Sequence, residues 1–368
     1  MGQWVWAVVA GALVVVAVFG ALARLRRRRR RRQVLRGYEA TIAGIDTSYH
    51  LLQRGLAALA EGDYERAFDC GTRAINRRGP GSYGDAAGHA IAGQAAARLG
   101  RARTAATHLT AALHLEATGS LVPSRTDLLR MLAAAKLALC AVDEAVDLAR
   151  EAAAEARSDD ELVAAVLTEG AAHLMRGDTS QARFAAETAA KQASQPDQRA
   201  AIHLLLGRVT AVEGSYTEAD RSLLRAADLY TSPGDGVRLA EVLCARADLA
   251  EQRGETIEAL DLWRRACRIL LRHPTEHVGL ATVFARIAAC AAEAGELADV
   301  DRYLLASEAE FAQCEFPSAS MVLLWTRARV AEMRGQQHET VSLLGEALLK
   351  AEQLGLGYWR NRMTVEAR

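Results

Sequence analysis

GLAALAEGDYERAFDCGTRA, residues 55–74, carries a frame of small residues that the chain writes eight times. Gly55 is followed by Gly62, Ala67 and Ala74, and the same frame returns as Gly93, Gly100, Ala105 and Ala112. It recurs more loosely as Ala133, Cys140, Ala145 and Ala152, then as Gly170, Gly177, Ala182 and Ala189, and as Gly207, Gly214, Ala219 and Ala226. Ala247, Gly254, Ala259 and Ala266 follow, then Ala288, Gly295, Val300 and Ser307, and last Ala328, Gly335, Thr340 and Ala347. The second members of successive frames lie 37 to 41 residues apart, the spacing of a repeat array. A small residue one heptad before a glycine lets two helices approach closely, and the glycine permits the backbone that ends a helix. Each unit therefore reads as a helix, a tight turn and a second helix.

Within that frame Gly62-Asp63-Tyr64-Glu65-Arg66-Ala67 resembles the turn of a tetratricopeptide repeat, with Gly55, Ala67 and Ala74 on that family's small positions and Tyr64 on its aromatic one. Gly214-Ser215-Tyr216-Thr217-Glu218-Ala219 repeats the likeness. The resemblance covers roughly residues 46–353 and implies an all-α fold, an α-solenoid of about eight hairpins. All six prolines (Pro80, Pro123, Pro196, Pro233, Pro274, Pro317) fall between units, where one helix has ended and another must start. The junction without a proline offers Ser158-Asp159-Asp160-Glu161 for capping. In the sixth unit Ile257, Leu260, Trp263, Cys267, Leu270 and Leu271 form one helical face, so Trp263 is expected in the core.

Ahead of the array, residues 4–23 hold no charge and as a helix would reach about 30 Å, the thickness of a bilayer core. Trp4 and Trp6 stand at one end, and Arg24, Arg26, Arg27, Arg28, Arg29, Arg30, Arg31 and Arg32 follow the other. That arrangement predicts a single transmembrane helix with its amino terminus outside and the repeats on the cytoplasmic side of the cell membrane. A cleaved signal peptide ending at Ala21-Leu22-Ala23 is the alternative, opposed by the length of the apolar run and the arginines after the cut. The arginine block suits anionic headgroups, and with no aromatic interleaving it does not predict nucleic-acid binding. The expected organisation is an anchor with its arginine flank over 1–37, a spacer over 38–45, the repeats over 46–353 and a tail over 354–368. The chain is formally neutral, with 45 basic and 45 acidic residues. Nine of its arginines lie in residues 1–37, so the rest is acidic by nine charges.

No catalytic constellation appears. No glycine precedes a lysine as a phosphate loop requires, and neither H-E-x-x-H nor G-x-S-x-G occurs. His273 and His277 are split by Pro274 and lack a third ligand, and the six cysteines form no C-x-x-C pair, so neither a metal nor another cofactor is expected. The resemblance implies instead a concave surface lined by first helices, where a protein or peptide partner would lie. Carried over position by position, that surface is Leu52, Leu56, Gln94, Arg130, Leu204, Arg208, Glu241, Asp248, Glu251, Trp325, Arg329 and Glu332, with only Thr282, Ala285 and Ala289 in the seventh unit. The leading expectation is a non-enzymatic membrane-tethered adaptor of the kind seen in bacterial envelope scaffolds. The alternatives are a solenoid that senses a peptide or metabolite and an exported repeat protein.

Overall fold

The computed structural model describes residues 48–75, 83–115, 123–230, 235–273 and 275–366. Trp4, Trp6, the arginine block and the uncharged run 4–23 lie outside the described residues. Among the described residues, no helix is long and apolar enough to cross a membrane. The chain divides into two compact units, Met1–Leu51, of which residues 48–51 are described and helical, and Leu52–Arg368.

The larger unit is all-helical among its described residues. Those residues form eight hairpins and a closing helix, here numbered in chain order. The first four hairpins are α1 (52–61) with α2 (Tyr64–Ile75), α3 (Tyr83–Arg98) with α4 (Ala102–His114), α5 (Arg125–Ala138) with α6 (Val142–Glu155), and α7 (Asp159–Arg176) with α8 (Thr179–Gln192). The second four are α9 (Pro196–Val212) with α10 (Tyr216–Leu229), α11 (Gly236–Gln252) with α12 (Thr256–Leu270), α13 (His277–Glu293) with α14 (Val300–Phe311), and α15 (Ala319–Met333) with α16 (Gln337–Gln353). The closing helix is α17 (Gly357–Glu366).

The eight turn positions share one conformation. Gly62, Gly100, Gly177, Gly214, Gly254, Gly295 and Gly335 have φ between 71° and 87°, the left-handed region, and Cys140 adopts it too, at 61°. A side chain there costs about 1–2 kcal/mol, so the third turn is strained where the others are not. In each turn the next N–H donates to the carbonyl five residues back, as Asp63 does to Ala58 and Asp178 to His173, both at 2.9 Å. These bonds satisfy the carbonyls that a helix end leaves over. Gly355, φ 66°, makes a ninth turn of the same kind, and it leads into α17.

The other small positions set the distance between helices. A Cβ on Gly170 would stand 2.7 Å from Leu205, and one on Gly207 2.6 Å from Leu223. Ala67, Ala105, Ala145, Ala182, Ala219 and Ala259 are fully buried, as is Val300 in the same slot of the seventh unit, and Ser307 fits the next slot, alanine in the other units, by donating its hydroxyl to the Ala281 carbonyl at 2.7 Å. Between hairpins, Ser124 and Ser158 accept the N–H of Asp127 and Glu161, and Pro196 opens α9. Trp263 is buried as its face predicts, whereas Ile257 (70% exposed) and Leu271 (58%) project outward at the two ends of α12. The apolar stripe is thus shorter than its sequence period.

Distant hairpins of this unit also meet. Glu315 donates its N–H to the Gly100 carbonyl at 2.9 Å, and its carboxylate accepts from the N–H groups of Arg103 and Thr104 at 2.6 and 3.1 Å. A carboxylate from the loop before α15 therefore caps the start of α4, where the helix dipole favours negative charge. Val142 and Val146 of α6, Ala172 of α7, Ala281 and Ala285 of α13 and Met321 of α15 share one apolar cluster with Leu356 and Met363.

Candidate functional site

First helices face a cavity of about 790 Å³ that runs past α1, α3, α5, α7, α9 and α11. Its apolar floor includes Leu59, Val163, Leu167, Leu204 and Val237. Arg98, Arg130, Arg238 and Arg272 supply its positive charge, and Glu61, Asp197, Glu241 and Glu276 its negative charge. Arg98 stands 4.0 Å from Glu276, Arg238 stands 3.5 Å from Asp197, and the Arg238 guanidinium lies over Tyr230 at 5.8 Å. Burial pushes the Glu276 carboxyl up, against the pull of Arg98, and pushes the Tyr230 phenol up as well. Arg130, Leu204 and Glu241 are the groove positions read from the sequence that line this cavity.

The other groove positions are placed differently. Leu52 is buried, as are Ala285 and Ala289. Leu56, Gln94 and Thr282 are half-buried, and Arg208 and Glu332 are exposed and do not line the cavity. Asp248, Glu251, Trp325 and Arg329 come together, but in a closed cluster beneath α17 rather than on an open face.

That cluster is built from α11, α13, α15 and α17. The Glu251 side chain is 3% exposed, and its carboxylate accepts from Arg286 at 2.5 Å, from Arg329 at 2.7 Å and from the Trp263 indole N–H at 2.7 Å. Asp248 accepts from Arg362 at 2.7 Å and from Arg286 at 3.3 Å, and Glu293 accepts from Arg329 at 2.7 Å. The guanidiniums of Arg286, Arg362 and Arg329 surround the Trp325 ring at 4.2, 5.1 and 5.4 Å from its centre. Three cations thus meet three carboxylates around one aromatic ring. Burial alone would raise the Glu251 carboxyl, but Arg286, Arg329 and Arg362 outweigh it and hold it well below the usual carboxylate range.

Sequence reasoning missed three members, Arg286, Glu293 and Arg362. Arg286 is 1% exposed and stands as a lone charge inside the apolar run of α13, and that isolation was the available signal. Arg362 sits in a tail with no repeat frame to place it.

Burial pushes the thiols of Cys140, Cys244, Cys267, Cys290 and Cys314 up, Cys314 to about 11, which leaves them protonated and poorly nucleophilic. Among the described residues, no group of three or more metal-binding side chains occurs.

This geometry defines a tetratricopeptide-like helical repeat protein with an inward-facing cavity. No family model matches the chain, and no curated protein matches its sequence. It is similar in structure to a Rap protein complexed with competence and sporulation factor, at 9% identity and TM-score 0.57 over 87% of this chain and 96% of that one. It is similar also to the apo form of the quorum sensor NprR from B. thuringiensis, at 14% identity and TM-score 0.52 over 91% and 92%. The Rap conjugation gene regulator of plasmid pLS20, solved with the Phr* peptide, matches at 15% identity and TM-score 0.55 over 72% and 74%. At such identities the likeness is one of fold.

Proposed function

We propose that this chain is a peptide-responsive regulatory solenoid whose cavity takes a short peptide. The observation that carries the reading is the cavity itself, about 790 Å³, lined by opposed guanidiniums and carboxylates over an apolar floor. That volume falls in the range of small-ligand sites, roughly 300–1,000 Å³. Alternating charge suits a chain with an amine at one end and a carboxylate at the other. Two of the similar solved proteins hold a signalling factor or a peptide and a third is a quorum sensor, which supports the sensor reading over the adaptor reading.

The test is selection from a pool of random five- to eight-residue peptides. Enriched peptides are expected to bind the unmodified chain at least tenfold more tightly than a chain carrying Arg130→Glu and Arg238→Glu. Each substitution reverses one cavity charge worth on the order of 1–3 kcal/mol to a charged partner. Equal enrichment on both chains would remove the cavity as the site.

The sensing unit is further proposed to sit at a bilayer, because residues 4–23 form an uncharged run followed by dense arginine. The intact chain should stay in the membrane pellet after alkaline carbonate extraction, and release into the supernatant would refute the tether.

A further inference from the structure

α17 has ten residues, fewer than the roughly 12–15 below which an isolated helix is marginal in water. It therefore owes its form to what it lies on. At its start it presses on the end of α7, where a Cβ on Gly357 would stand 2.0 Å from the Arg176 carbonyl oxygen. Next, Trp359 meets Trp325 edge-on with ring centres 5.4 Å apart. Three residues later Arg362 donates to Asp248 at 2.7 Å, stands 3.6 Å from Glu251 and lies over the Trp325 ring. The seat thus joins the apolar cluster that buries Leu356 and Met363 to a charged and aromatic patch, with Asp248 and Glu251 on α11 and Trp325 on α15.

A permanent cap has no need of such a seat, since a buried ion pair often stabilises no more than apolar side chains of equal volume. Tryptophan with arginine in a desolvated pocket is instead the chemistry by which protein interfaces recognise a partner. The chain reaches α17 through the single left-handed residue Gly355. We propose that α17 is a detachable ligand carried by the chain itself, seated in a site for a short helix that presents a tryptophan and an arginine three residues apart. With α17 seated the site is filled, and with α17 released it accepts the same chemistry from another molecule. This inference does not depend on what the larger cavity binds.

The probe is a labelled peptide spanning Leu356–Glu366, added to the full chain. Gly357→Ala in the full chain sets a methyl group against the Arg176 carbonyl while favouring helix, so it unseats α17 without weakening it. The variant is expected to bind the peptide at least tenfold more tightly than the unmodified chain, and Arg362→Glu within the peptide should abolish the gain. Equal affinity for both chains, with matching helical circular dichroism, overturns the proposal. If the variant does not fold, hydrogen exchange on the unmodified chain decides. Amides of residues 361–365 should then exchange at least tenfold faster than those of α15, and faster still with excess peptide. Exchange in step with α15 and indifferent to peptide overturns it.

Discussion

Replacing Glu251 by alanine is expected to lower the unfolding free energy by about 3–5 kcal/mol, the cost of breaking a buried ion pair by removing one partner. Glu251 is where Arg286, Arg329, Arg362 and the Trp263 indole converge, and Arg286 is 1% exposed with no water to take over. Urea denaturation followed by circular dichroism reads the change. A loss below about 1 kcal/mol, the size of a surface pair, would show that the cluster is effectively solvated. The pH dependence has a definite sign. The folded state holds the Glu251 carboxyl below its ordinary value, so its stabilisation is fully present above the ordinary carboxylate pKa of about 4.3 and is lost as pH falls toward the folded value. The gap between the native chain and Glu251→Gln should accordingly be flat above about pH 5 and shrink only in stronger acid.

Gly207→Val should cost about 3 kcal/mol, the upper part of the range for overpacking. The first added carbon alone would stand 2.6 Å from two atoms of Leu223, which is fully buried and cannot swing away. Gly214→Val, seven residues on, fails for another reason, because nothing lies within 4 Å of its Cβ but its φ is 79°. The double variant Gly207→Val with Leu223→Ala separates the two causes. It should lose less than the sum of its two single variants, whereas Gly214→Val with Leu223→Ala should lose the full sum, as thermal melts of the singles and doubles would show. Additive losses would mean that Gly207 is not a close-packing position.

The hairpins could be read from the chain because their determinants are local. Gly55, Gly62, Ala67 and Ala74 lie within one turn-spanning stretch, and every turn position picked from such a frame has a positive φ, Cys140 included. The charged cluster follows no such period. Its bonds join Arg286 to Glu251 across 35 residues, Arg329 to Glu251 across 78 and Arg362 to Asp248 across 114. Trp325 and Arg329 were visible as inward-facing side chains, but not that α17 would cover them, because a short segment without small-residue spacing gives no cue to its seat. Ile257 and Leu271 mark the converse limit, where the helical period persists beyond the neighbour that would bury it.

The capping of α4 by Glu315 has a consequence for how such a chain can change. Stacked repeats usually gain or lose copies freely, since each touches only the next. Here the Glu315 N–H must reach the Gly100 carbonyl and its carboxylate must reach the N–H of Arg103, 212 residues away, so inserting or deleting one hairpin between them would break the seam. The number of hairpins between α4 and Glu315 is therefore fixed by closure, and variation is confined to the ends of the array and its connecting loops.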